Sequence, residues 1–241
     1  MYDLALNKDD PEAVTRASNR FTVLCEGPYG GCGHSLFASY SSVMLVAGGS
    51  GITHTLGMAH DLICKAASQD AIRATHLDII WVVRTAEIAR PLMITFKSLI
   101  EDIKRSSLKI RVTIYVTRPP PHGGMDLLSP STQEKMNAPF ALPGTMAGGV
   151  TLEPQLAWSC GSGSRISIVP GARPIMDHLL QDLIDSTLEY NTSAGTQSQG
   201  CGIAVCGPNS LVHSVRKATM DIDATRRLNV GGIELLQEPF D

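Results

Sequence analysis

Short apolar runs rich in valine and isoleucine alternate along this chain with longer stretches whose apolar positions recur at helical spacing. An apolar run without polar alternation needs cover on both faces, which is the habit of parallel strands joined by crossover helices. The pattern predicts strands near 43–47, 78–83, 110–116, 165–169, 202–206 and 232–236, and helices over 53–67, 86–105, 174–189 and 208–220. Within 53–67, Leu56, Ala59, His60, Ile63 and Ala67 repeat at helical spacing and would form one buried face. Pro174 and Pro208 each stand just inside a predicted helix start, where the missing N–H costs nothing. Together the elements imply an α/β protein: an open parallel sheet of five to six strands with helices on both faces.

Some stretches fall outside that rhythm. Residues 1–42 carry a strand candidate, Phe21 to Glu26, and then a loop, and they read as the end of a preceding unit, leaving 43–241 as the main domain. Residues 118–164, from RPPPHGG through GTMAGG to SCGSGS, are rich in Pro, Gly and Ser and read as a long, disordered-like surface insertion. A smaller insertion, 191–200, precedes the fifth strand.

Composition narrows the class. At 241 residues, with 43% hydrophobic and 18% charged residues and a net charge of −3, the chain can bury a substantial core and reads as soluble and globular. Lys and Arg are scattered, so no nucleic-acid footprint is present. The apolar runs Val43 to Ala47 and Ile79 to Val83 are strand-sized, far short of the roughly 18 residues that cross a bilayer. The first residues, MYDLALNKDDPEAV, are acidic and lack the apolar segment of a secretory signal. Six cysteines without a CxxC pair suit reduced thiols in a cytosolic setting, and seven histidines without HExxH or paired spacing assign no metal site.

Two glycine turns carry the candidate chemistry. After the strand at 43–47, Gly48, Gly49 and Gly51 turn the chain into the helix near Thr53, and a backbone without side chains lets N–H groups and the positive helix end approach an anion such as a pyrophosphate. The turn is no P-loop, since GK[ST] is missing, and it matches GxGxxG only in part. Close strand–helix packing would account for the same glycines. A nucleophile elbow needs GxSxG, and Gly48, Ser50 and Ile52 fail at the last position. A second turn, CGPNS at 206–210, ends another strand and opens another helix; two such ends make the crevice in which open α/β sheets bind ligands.

The set GPYG (27–30), LVAGGSGIT (45–53), WVVR (81–84), IYVT (114–117), GARP (171–174), VCGP (205–208) and EPF (238–240) resembles the NAD(P)H-binding half of the ferredoxin-NADP reductase superfamily, and within it the fungal ferric reductase and NADPH oxidase branch. That resemblance implies a Rossmann-like domain of the ferredoxin reductase NADP type, preceded by a remnant of a flavin barrel. It implies that Gly48, Gly49, Ser50, Gly51, Ile52 and Thr53 cradle the pyrophosphate. Arg84, with Arg118 as second candidate, would pair with the 2′-phosphate that distinguishes NADPH from NADH. Cys206, Gly207 and Pro208 would contact the nicotinamide; Glu238 and Phe240 match the family's terminal acid and its flavin-covering aromatic. Gly27, Pro28, Tyr29 and Gly30 would form the hinge and a flavin-side loop.

By the same resemblance the chain is the nucleotide half of a larger reductase. Its hydride would go from NADPH to FAD held mainly by a separate flavin domain, and electrons would pass to a membrane haem domain and ferric iron, or to oxygen, at the cytosolic face of a membrane. A non-catalytic nucleotide-binding protein is the alternative, and an unrelated α/β hydrolase a weaker one.

Overall fold

Residues Val43 to Ala47 carry no polar side chain, and the fold puts them where none is needed, in a strand buried along its whole length. The structure is a computed structural model that describes residues 37–68, 72–103, 106–118, 155–159 and 163–240. Among these residues the strands are β1 (Ser42–Gly48), β2 (His76–Val83), β3 (Lys109–Val116), β4 (Gln155–Ser159), β5 (Arg165–Pro170), β6 (Cys201–Pro208) and β7 (Ile233–Phe240). They form one sheet in the order β4-β5-β3-β2-β1-β6-β7, parallel at every junction except the antiparallel β4–β5 pair.

The helices are α1 (Ile52–Ala67), α2 (Ala86–Ala89), α3 (Met93–Asp102), α4 (Met176–Ala194), α5 (Asn209–Met220) and α6 (Ala224–Asn229). On one face Met44 and Val46 of β1, Ile80 of β2 and Ile203 and Val205 of β6 pack with Met176, Leu180, Leu183 and Ile184 of α4 and Val212 and Val215 of α5. The opposite face is covered by α1 and α3, where Trp81 meets Phe96 with ring centroids 5.9 Å apart. The expected α/β sheet covered on both sides is therefore the fold, with seven strands instead of five to six because β4 adds an antiparallel edge. Charge enters the α4 side at one level: Asp78 of β2 and Arg111 of β3 are register partners, with Arg111 Nε donating to Asp78 Oδ1 at 2.7 Å and Nη2 donating to Oδ2.

Several elements differ from the sequence expectation. The helix expected over 86–105 is divided, because Pro91 removes an N–H and its ring crowds the preceding turn; α2 ends at Ala89, a 3-10 turn spans Arg90–Leu92, and α3 follows. Strand β4 lies inside the stretch read as an irregular insertion, while the other residues of 118–164 lie outside the described residues, apart from Arg118, Gly163 and Ser164. Helix α4 runs to Ala194 and ends on Gly195 at φ +63, which shortens the 191–200 insertion. The last strand continues past 236 to Phe240. Pro174 precedes the first residue of α4 by two positions, and Pro208 is the cap of α5 rather than a residue inside it. In α1 the buried face is Ile52, Thr55, Met58, Ala59, Leu62, Ile63 and Ala66, so the stripe through Leu56, His60 and Ala67 is rotated off the core. That segment holds more apolar residues than one stripe can use, and packing against the sheet selects among them.

Candidate functional site

All six parallel strands point their carboxyl ends to one edge of the sheet. From β1 the chain moves to β2, β3 and β5 on one side, and β6 and β7 lie on the other, so the order reverses between β1 and β6. Open α/β sheets form their ligand crevice at such a reversal, because the connections leave the strand ends in opposite directions and part there.

Both glycine turns lie at this junction. Gly48 ends β1 in extended conformation, a 3-10 turn spans Gly49–Gly51, and α1 starts at Ile52. Ala47 is the register partner of Cys206, which places the two strand ends side by side. The backbones touch: a Cβ on Gly51 would stand 2.2 Å from the Cys206 carbonyl oxygen, and one on Gly207 would stand 3.1 Å from the Gly48 nitrogen. A Cβ on Gly48 would come within 2.7 Å of Pro208 Cδ. Gly49 is different, since a Cβ there would meet nothing within 4 Å, although φ is +54. The turn is thus closed toward β6 and open outward, with Gly49, Ser50 and Thr53 exposed and Gly51 and Ile52 buried.

Two of the turn's carbonyls accept side-chain hydrogen bonds, one from the core and one from the exposed side. Trp81 Nε1 donates to the Gly49 carbonyl at 2.9 Å, and Thr53 Oγ1 donates to the Ser50 carbonyl at 3.1 Å. In the WVVR stretch the sequence singles out the arginine, and the structure adds the tryptophan. The signal was present: a buried indole N–H needs an acceptor, and the strand end beside a glycine turn offers one.

Sequence-predicted residues on β6 and β7 also come together. Cys206 pairs in register with Glu238, and Pro208 with Phe240. Cys206 is 8% exposed, and burial pushes its thiol up from the ordinary range, with the Glu238 carboxylate adding to the effect. Both effects favour the neutral thiol over the thiolate. Glu238 is exposed and Phe240 half-buried. On the other side of the reversal, Arg84 follows β2 and Arg118 follows β3; both are exposed, and the Arg118 N–H donates to the Arg84 carbonyl at 2.8 Å. Gly27, Pro28, Tyr29 and Gly30, together with the strand expected at Phe21 to Glu26, lie outside the described residues.

A mostly parallel sheet with these strand ends at its reversal defines a Rossmann-like, NAD-binding type of domain. The chain belongs to the ferric reductase NAD-binding domain family, whose model matches residues 40–220. It is similar to the ferric/cupric reductase transmembrane component 2 of Schizosaccharomyces pombe, 32% identical over 96 residues that make up 40% of this chain and 15% of that protein. A second relative, ferric reductase transmembrane component 1 of the same yeast, is 30% identical over 98 residues, 41% of this chain and 16% of that protein. The match therefore spans a small part of the length of either relative. Among the described residues no helix is long and apolar enough to cross a membrane, and no group of three or more His, Cys, Asp or Glu residues could hold a metal ion.

Proposed function

We propose that the chain is the NADPH-binding module of a flavin-dependent ferric or other metal reductase, acting with a flavin domain and a membrane haem domain at the cytosolic face of a membrane. The observation that carries this reading is the backbone contact of Gly51 with Cys206 at the strand-order reversal, which joins a glycine turn that opens outward to a neutral thiol. The residues fit a pyridine dinucleotide: the Gly49 side is open, the Gly49 carbonyl is engaged by the buried Trp81 indole, and the turn leads into a helix whose positive end favours an anion.

Gly48 to Thr53 hold the diphosphate. Arg84 takes the 2′-phosphate through a charge-assisted hydrogen bond, with Arg118 beside it. Cys206, Gly207 and Pro208 form a floor on which the nicotinamide can slide, and Glu238 and Phe240 border it from β7. Gly27, Pro28, Tyr29 and Gly30 belong to the flavin-facing side. When bound, the nicotinamide supplies hydride to FAD; haem and ferric iron lie downstream in the larger assembly. The protein's task is alignment and exclusion of water.

Replacing Arg84 with alanine tests the coenzyme assignment. Calorimetric titration is expected to show NADPH weakened by about 1.5–3 kcal/mol, the scale of a charged hydrogen bond, with NADH unaffected. Equal losses for both coenzymes would remove the 2′-phosphate role.

A further inference from the structure

A turn that binds an anion must present N–H groups and turn its carbonyls elsewhere, since a peptide carries both. The C=O of one residue and the N–H of the next share one planar trans unit and point in opposite directions. Fixing the Gly49 carbonyl therefore also fixes the direction of the Ser50 N–H. The bond from Trp81 Nε1 at 2.9 Å does this from the core side, and Ser50 stands on the exposed side of the turn. Gly49 itself has no side chain to hold the peptide and adopts φ +54. The indole itself has little freedom: Trp81 is 1% exposed, is the register partner of Ala47, and packs against Phe96 of α3.

We infer that Trp81 is a positioning residue for the dinucleotide's diphosphate, acting through the Gly49 carbonyl to aim the Ser50 N–H outward. It touches no ligand. Its strand ends two residues later at Val83 and Arg84 follows, so β2 sets both the orientation of the phosphate turn and the place of the proposed 2′-phosphate partner. A ligand with a diphosphate should depend on the indole bond, and a ligand with the 2′-phosphate alone should not. The inference rests on the proposed reading of the glycine turn as the diphosphate site.

The test compares NADPH with adenosine 2′-monophosphate by calorimetric titration on the full chain, wild type against Trp81→Phe. Because a smaller ring could loosen the core, a second variant carries benzothienylalanine at position 81, which keeps the bicyclic shape and replaces the N–H by sulfur. Both variants are expected to weaken NADPH about tenfold, the scale of one hydrogen bond, and to leave adenosine 2′-monophosphate within about twofold. Equal weakening of the two ligands, or none for NADPH in the isosteric variant, would overturn the positioning role while leaving the diphosphate site intact. Wild-type protein that binds the monophosphate and NADPH equally well, with no heat from inorganic pyrophosphate, would overturn the underlying reading and this inference with it.

Discussion

Gly51→Ala adds a single methyl group where the turn after β1 presses on the end of β6. The new carbon would stand 2.2 Å from the Cys206 oxygen, 2.8 Å from its carbonyl carbon and 3.2 Å from its sulfur. Ordinary contact begins near 3.4 Å, so turn and strand must separate by more than 1 Å. Neither side yields easily, because the obstacle is main chain held in the parallel ladder through Ala47 and Cys206. Overpacking of this kind costs about 1–3 kcal/mol, and a backbone neighbour places this case near 3. Gly51 has φ −58 and ψ −12, which alanine adopts freely, so the loss is steric. Gly49→Ala is the counterpart: open space but φ +54, hence a conformational cost of about 1 kcal/mol. Urea denaturation at constant m-value separates the two, and NADPH titration should show weaker binding for both. A Gly51→Ala protein as stable as wild type, or no less stable than Gly49→Ala, would refute the backbone contact.

Gly57 lies exposed within α1, and a Cβ there meets nothing within 4 Å, so Gly57→Ala should stabilise by about 0.5–1 kcal/mol and raise the thermal midpoint roughly 1–4 °C without changing NADPH affinity. Burial pushes the Cys201 thiol up to about 11 from 9.0; the folded state favours the protonated form, so its stability contribution is full below pH 9.0 and is lost as pH rises to about 11. Urea midpoints from pH 8 to 11 should therefore fall less steeply in Cys201→Ala. Arg111→Met leaves the Asp78 carboxylate, 5% exposed, without its two-point partner and should cost about 3 kcal/mol in urea denaturation, with part recovered by adding Asp78→Asn.

The central strands were legible because burial on both faces forces an unbroken apolar run, as in Val43 to Ala47 and Ile79 to Val83. The two strand-end turns were legible for a different reason: glycine and proline mark where a chain must bend sharply, and their role as neighbours followed from the parallel topology. Edge elements were harder. Strand β4 pairs on one side only, in antiparallel sense and with an irregular register, so little in its five residues distinguishes it from the Gly- and Ser-rich sequence that follows. Strand β7 ends in the polar and proline-containing QEPF, tolerated at an edge but not read as strand. Pro91 was a visible helix breaker that the periodicity on either side masked. Trp81 shows the limit on the candidate site: the apolar run around it signals burial and hence the need for an acceptor, whereas which carbonyl serves, Gly49, is fixed only by the offset between two strands.

The pairing of β1 with β6 also bears on how the molecule comes into being. Strands β2 and β3 follow β1 closely, but β6 leaves the ribosome roughly 150 residues after β1, so one border of β1 waits unpaired while those residues are made. A nascent chain that stops before Cys201 is expected to expose the unpaired N–H and C=O groups of that border, flanked by the apolar side chains of Val43 to Ala47, and to self-associate through it.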